Sequence, residues 1–209
     1  MGLTLRITDA ETYAEPRDSI SHDWIRCLDV WGMEPVLIPN AVSDPARYLE
    51  NAKLNLLILT GGDSIGDTPL RDRSETILAK AAGQMRLPTL GVCRGMQLMC
   101  EIAGGQMQEI EGHVAHDHEV RVTEALQRIY GKVCTVNSYH NLGIRRDRLG
   151  AGYLLAAEDS EGFAEAMVHT DLPHAAIMWH PERDGGIGGD RVLIASMIES
   201  GAFWRVGGN

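Results

Sequence analysis

The chain is predicted to fold as an α/β three-layer sandwich with a mostly parallel central sheet, residues 1–209 forming a single domain. Two observations predict this. Short apolar runs alternate with helix-period stretches through the first half, and one run ends in a glycine-flanked cysteine that opens onto a helix. Leu3–Thr8, Pro35–Ile38, Leu56–Thr60 and Thr89–Val92 read as buried strands. Between them, Ile20, Trp24, Cys27, Leu28 and Trp31 recur at helical spacing, and Ile77, Leu78, Ala81, Ala82 and Met85 make a second apolar stripe. The Trp and Met residues of these stripes are assigned to the core. Strand and helix in alternation imply parallel pairing by right-handed crossovers, which gathers reactive residues at strand C-termini.

The second half reads as more strand-rich, with Glu119–Val122, Lys132–Val136, Tyr153–Ala157, Ala164–His169 and Ala175–Met178 as antiparallel additions to the sheet. Asp184–Asp190, with four glycines, is expected to be a mobile loop before a last helix at Arg191–Ser200.

Composition narrows the function. With 44% hydrophobic and 23% charged residues among 209, the chain can bury an ordinary core, which excludes disorder. No apolar run approaches a membrane span. A net charge of −10 opposes attraction to a phosphate backbone, so a nucleic acid polymer is not an expected partner. Met1–Asp9 has neither a basic region nor a long apolar one, and the expected location is cytoplasmic. Cys27, Cys93, Cys100 and Cys134 form no C-x-x-C pair, so no disulfide framework or zinc site is expected.

The strongest motif is Thr89-Leu90-Gly91-Val92-Cys93-Arg94-Gly95-Met96-Gln97, a strand running into G-x-C-x-G and then a helix. Glycines on either side of the central residue permit the sharp turn of a nucleophile elbow. The helix N-terminus favours thiolate, the nucleophilic form of Cys93. The other three cysteines are expected to be structural. The second motif is Ile177-Met178-Trp179-His180-Pro181-Glu182: an apolar strand ends in a histidine held extended by the following proline. Glu182 can then reach one imidazole nitrogen while the other faces a nucleophile on a neighbouring strand.

Through G-V-C-R-G-M-Q, W-H-P-E and the Thr60-Gly61-Gly62-Asp63 loop, the sequence resembles the class I glutamine amidotransferases and their gamma-glutamyl hydrolase relatives (peptidase C26-like), along nearly the whole chain. The resemblance implies a flavodoxin-like fold and a Cys93, His180, Glu182 triad. It also implies an oxyanion hole from the backbone N–H groups of Gly62 and Arg94, and a gamma-glutamyl pocket including Gln97. Val136-Asn137-Ser138-Tyr139-His140-Asn141, with Arg183 after W-H-P-E, resembles the hydrolase branch and most closely the gamma-glutamyl-CDP-amidate hydrolases of capsule phosphoramidate biosynthesis. In that branch the segment Asn137, Ser138, Tyr139 lies beside the substrate α-carboxylate, and His140 and Arg183 join the substrate-binding set.

The resemblance therefore implies hydrolysis of a small gamma-glutamyl amide through a thioester, with a nucleotide-linked substrate as the specific expectation and no cofactor. The alternatives are another gamma-glutamyl amine or a glutaminase subunit feeding ammonia to a separate synthase; no motif specifies a protein partner. His113, His116 and His118 form H-x-x-H-x-H, but the spacing matches no standard zinc signature, and no metal is expected. Arg71, Arg73, Arg94 and Arg183 are candidates to hold an anionic leaving group.

Overall fold

A computed structural model describes residues 1–183 and 187–205. The strands are β1 (Gly2–Thr4), β2 (Arg6–Asp9), β3 (Pro16–Ser19), β4 (Val36–Ile38), β5 (Leu57–Leu59), β6 (Thr89–Val92), β7 (Met107–Glu109), β8 (His118–Val122), β9 (Val133–Val136), β10 (Leu142–Ile144), β11 (Tyr153–Glu158), β12 (Ala164–His169) and β13 (His174–Ile177). The helices are α1 (His22–Val30), α2 (Pro45–Ala52), α3 (Pro69–Met85), α4 (Arg94–Ile102), α5 (Gln127–Tyr130) and α6 (Gly188–Ser200).

Nine strands form one sheet in the order β4-β1-β5-β6-β13-β12-β11-β8-β9. From β4 to β13 all pairings are parallel, and from β13 to β9 all are antiparallel. The predicted strand Leu3–Thr8 divides instead. Its first part joins the sheet as β1, while β2 leaves it to pair antiparallel with β3.

Alternation along the strands assigns two faces. Leu90, Val92, Ala175 and Ile177 pack with Trp24 and Leu28 of α1 and Leu193, Ile194 and Met197 of α6. Leu57, Leu59 and Ala176 pack on the other face with Leu49 of α2, Leu78 and Ala82 of α3, and Met96 and Met99 of α4. These are the three layers. Two stripe residues depart from the core assignment: Trp31 is half-buried beside the first cluster, and Met85, at the end of α3, is 42% exposed.

The glycine-rich segment is shorter than expected. Residues 184–186 lie outside the described residues, and Gly188, Gly189 and Asp190 form the first turn of α6. Buried Asp190 ties that turn down, accepting from Ile187 N at 3.0 Å, Trp179 Nε1 at 2.9 Å and Tyr130 OH at 2.8 Å. No helix among the described residues is long and apolar enough to cross a membrane.

Candidate active site

Strands β5, β6 and β13 are neighbours in the middle of the sheet, the last three of its parallel half, and their C-terminal ends carry Thr60–Gly62, Cys93 and His180. Cys93 has φ 51° and ψ −104°, between β6 and α4. The flanking glycines are required by proximity: a Cβ on Gly95 would stand 2.2 Å from Leu59 O, and one on Gly91 2.7 Å from the Gly95 carbonyl carbon. The Cys93 N–H donates to Ile177 O at 2.8 Å, fixing the elbow to β13. Arg94 is the first residue of α4, so its backbone N–H is one that the helix leaves unpaired.

His180 Nδ1 lies 2.7 Å from Glu182 Oε1, while Nε2 has no hydrogen-bond partner among the described residues. The imidazole and the cysteine flank the same backbone: a Cβ on Gly61 would meet His180 Cε1 at 2.7 Å and Cys93 Cβ at 3.5 Å. All three side chains are buried. Burial pulls the His180 imidazolium down, but the neighbouring Cys93 sulfur and Glu182 carboxylate outweigh it and raise its pKa to about 9. The Tyr139 ring meets the imidazole edge-on at 5.7 Å, and the Arg183 guanidinium lies 4.1 Å over the Tyr139 ring.

Gly62 adopts φ +128°, and a Cβ there would meet Arg6 Nε at 2.3 Å. The predicted polar side chains divide. Gln97 donates to Leu142 O at 3.1 Å, Ser138 Oγ to His113 O at 2.6 Å, and His140 Nδ1 to Leu142 O at 3.1 Å. Both amide atoms of Asn137 engage the His180 backbone. Asn137, Ser138 and His140 therefore hold the protein to itself, and Tyr139 is the member of the segment whose ring faces the triad.

Two arginines proposed for the leaving group are corrected. Arg94 is buried and paired with Glu75 and Asp72, and Arg71 is buried and paired with Glu75 at 3.1 Å and Asp63 at 3.5 Å. Arg71 also donates to Thr60 O at 2.8 Å and Gly61 O at 3.0 Å. Glu75 thus joins the loop carrying Gly62 to the elbow carrying Arg94, a connection the motif reading missed. Its sequence signal is an acid on the buried side of α3. Arg73 is exposed on that helix, which leaves Arg183 beside the triad.

The other thiols are held protonated by burial, with pKa about 12 at Cys27 and about 11 at Cys100 and Cys134. His116 is exposed, but His113 and His118 converge with Glu165 of β12, a buried acid among Ala164, Ala166 and Met167 that the motif reading did not single out. Burial among three other histidines lowers the pKa of His140 to about 3. A recess of about 480 Å³ lined by Thr89, His169 and His174 sits at the N-terminal ends of β6 and β13, opposite Cys93.

A family model described as Peptidase C26 matches residues 66–182. The gamma-glutamyl-CDP-amidate hydrolase of Campylobacter jejuni is 24% identical over 204 residues, covering 92% of this chain and 94% of that protein. The anthranilate synthase of Azospirillum brasilense is 41% identical over 114 residues, covering 52% of this chain, which spans only 16% of that protein's length. A crystal structure from Thermoplasma acidophilum, assigned to GMP synthase, aligns over 98% of this chain and 94% of its own with TM-score 0.73 and 22% identity. With its family match spanning the elbow cysteine and reaching Glu182, the chain belongs to the Peptidase C26 family.

Proposed function

We propose that the protein is a stand-alone hydrolase that cleaves a gamma-glutamyl amide through a Cys93 thioester. Hydrolysis of an amide C–N bond accords with family membership. The observation that carries the mechanism is the meeting of Cys93 with the His180–Glu182 couple across the Gly61 backbone.

The Cys93 thiolate attacks the γ-carbonyl carbon, forming a C–S bond while the carbonyl oxygen takes up negative charge. Backbone N–H groups of Gly62 and Arg94 receive that charge. The C–N bond breaks as imidazolium His180 gives its proton to the leaving nitrogen. Water then attacks the thioester and loses a proton to His180, and glutamate and the Cys93 thiolate separate. Glu182 orients the imidazole throughout and stabilises its positive charge whenever the ring is protonated.

For the leaving group we favour a phosphorylated one, CDP-L-glutamine giving cytidine diphosphoramidate and glutamate. Its support is the coverage shared with the Campylobacter protein and the position of Arg183 at the triad. The rival reading, supply of ammonia to a synthase, draws on the anthranilate synthase match. The isolated chain incubated with CDP-L-glutamine, gamma-glutamyl-GABA and glutamine separates them. Rapid glutamate release from the nucleotide compound supports the favoured reading. Release from gamma-glutamyl-GABA alone keeps the hydrolase and replaces its substrate, and turnover of glutamine only when a synthase is added supports the rival.

A further inference from the structure

We propose that His113, His118 and Glu165, joined by His140, form a buried site for a divalent transition-metal cation of the zinc class, built without Cys93, His180 or Glu182. His113 precedes β8, His118 opens it, His140 lies between β9 and β10, and Glu165 is on β12, so three separate stretches of chain converge. One ligand atom from each of His113, His118 and Glu165 lies within 4.8 Å of the other two.

The spacing suits a shared cation better than direct hydrogen bonds. His118 Nε2 and His140 Nε2 stand 3.6 Å and 3.7 Å from Glu165 Oε1, beyond hydrogen-bond range. A tetrahedron with metal–ligand bonds of about 2.1 Å has an edge of about 3.4 Å. Glu165 is 1% exposed, and neither of its oxygens, nor either nitrogen of His118, has a hydrogen-bond partner among the described residues. A buried carboxylate whose nearest partners are imidazole nitrogens at ion-pair distance, with no hydrogen bond, is costly to keep charged.

Proton placement sharpens the point. His140 Nδ1 faces Leu142 O at 3.1 Å and therefore carries the hydrogen, so a singly protonated ring aims a bare Nε2 at a carboxylate. His113 differs, because its Nδ1 lies 3.0 Å from Glu111 O and its Nε2 3.1 Å from Asp159 Oδ2, both within hydrogen-bond range. A cation held by Glu165 and the unpartnered His118 and His140 nitrogens satisfies these together, with His113 turning from Asp159 to complete the set. Backbone carbonyls that fix the Nδ1 hydrogen are also the partners that orient metal-ligating histidines. Imidazoles with one carboxylate and no thiolate select zinc, cobalt(II) or nickel(II) over calcium or magnesium.

The test titrates zinc and cobalt(II) into metal-stripped full-length protein, wild type and Cys93→Ser, by calorimetry and visible absorption. The expected result is about one equivalent bound in both, with a higher melting temperature and no sulfur-to-cobalt band. His118→Gln and Glu165→Gln should each weaken binding by at least about 10-fold. Should Glu165→Gln fail to fold, His118→Gln and the wild-type stoichiometry still decide. Three results overturn the proposal: no binding by wild type, binding that disappears in Cys93→Ser and so belongs to the nucleophile, or binding that His118→Gln leaves intact. The first would mean that protons alone neutralise the cluster.

Discussion

Asn137 closes both ends of its amide on the backbone of His180, Oδ1 accepting from the His180 N–H at 2.8 Å and Nδ2 donating to the His180 carbonyl at 2.9 Å. The histidine is thus gripped through its main chain by the β9–β10 connection and through its ring by Glu182. Asn137→Ala removes both bonds and leaves a buried donor unmet, at about 1–3 kcal/mol. Its melting temperature should fall, and its kcat should drop up to about 100-fold through misplacement of the imidazole. A kcat equal to wild type in a folded variant would separate this grip from catalysis.

Glu75→Gln should injure turnover without touching substrate. Glu75 neutralises Arg71 and Arg94 together, and breaking a buried pair costs about 3–5 kcal/mol. With one element carrying Gly62 and the other Arg94, the expected kinetic signature is a fall in kcat with KM nearly constant. Steady-state rates in a folded sample check it; a pure KM effect would place Glu75 outside the oxyanion geometry.

Iodoacetamide should label Cys93 before Cys27, Cys100 and Cys134, whose thiols burial raises to about 11 or 12. Cys93→Ala should abolish turnover with the fold intact. His180→Ala should lose nearly as much, and Glu182→Gln less, because it disturbs only the imidazole's orientation and charge. Peptide mass spectrometry and rates on the three variants establish the order. Faster labelling of another cysteine whose removal also kills activity would displace Cys93.

The pKa of His180, raised to about 9, carries a signed prediction for stability. A histidine bound more tightly to its proton in the folded state stabilises that state fully below its unfolded value of about 6.5, and the contribution disappears as pH rises through about 9. The wild-type melting temperature should therefore decline between these two values, and Glu182→Gln should flatten the decline. Thermal melts at stepped pH read it, and identical slopes in both proteins would refute the coupling.

Arg183→Ala should raise KM for CDP-L-glutamine by about 10- to 150-fold, the value of a charge-assisted phosphate contact, and change KM for glutamine little. Arg94→Ala is no test of this contact, because its guanidinium is engaged with Glu75 and Asp72. Equal effects on both substrates would remove the phosphate from the reading.

Local patterns carried the legible part of the molecule. Thr89–Val92 and Ala164–His169 coincide with β6 and β12, and the elbow and His-Pro-Glu motifs each lie within a few residues of chain. Helix α2 went unread although Asp44 and Pro45 announce it: the Asp44 carboxylate caps Arg47 N at 3.0 Å. Strands β7 and β10 are three residues each and, among the described residues, pair with one another alone, too short for a period to show. The Glu75 bridge and the His113–His118–Glu165 cluster arise from strand order and from helix α3 packing near the elbow, which no spacing along the chain encodes. An acid on a buried face, in α3 and again in β12, was the residual sign of each.

The backbone at Cys93 also sets a standing conflict between reactivity and stability. A non-glycine residue at φ 51° and ψ −104° costs about 1–3 kcal/mol that glycine would not incur. Nature's choice of cysteine there means the folded state gives up part of its margin to aim one sulfur at His180, and selection for stability alone would erase it. Elsewhere alanine outranks glycine by about 0.5–1 kcal/mol, whereas here Cys93→Gly should melt at or above Cys93→Ala.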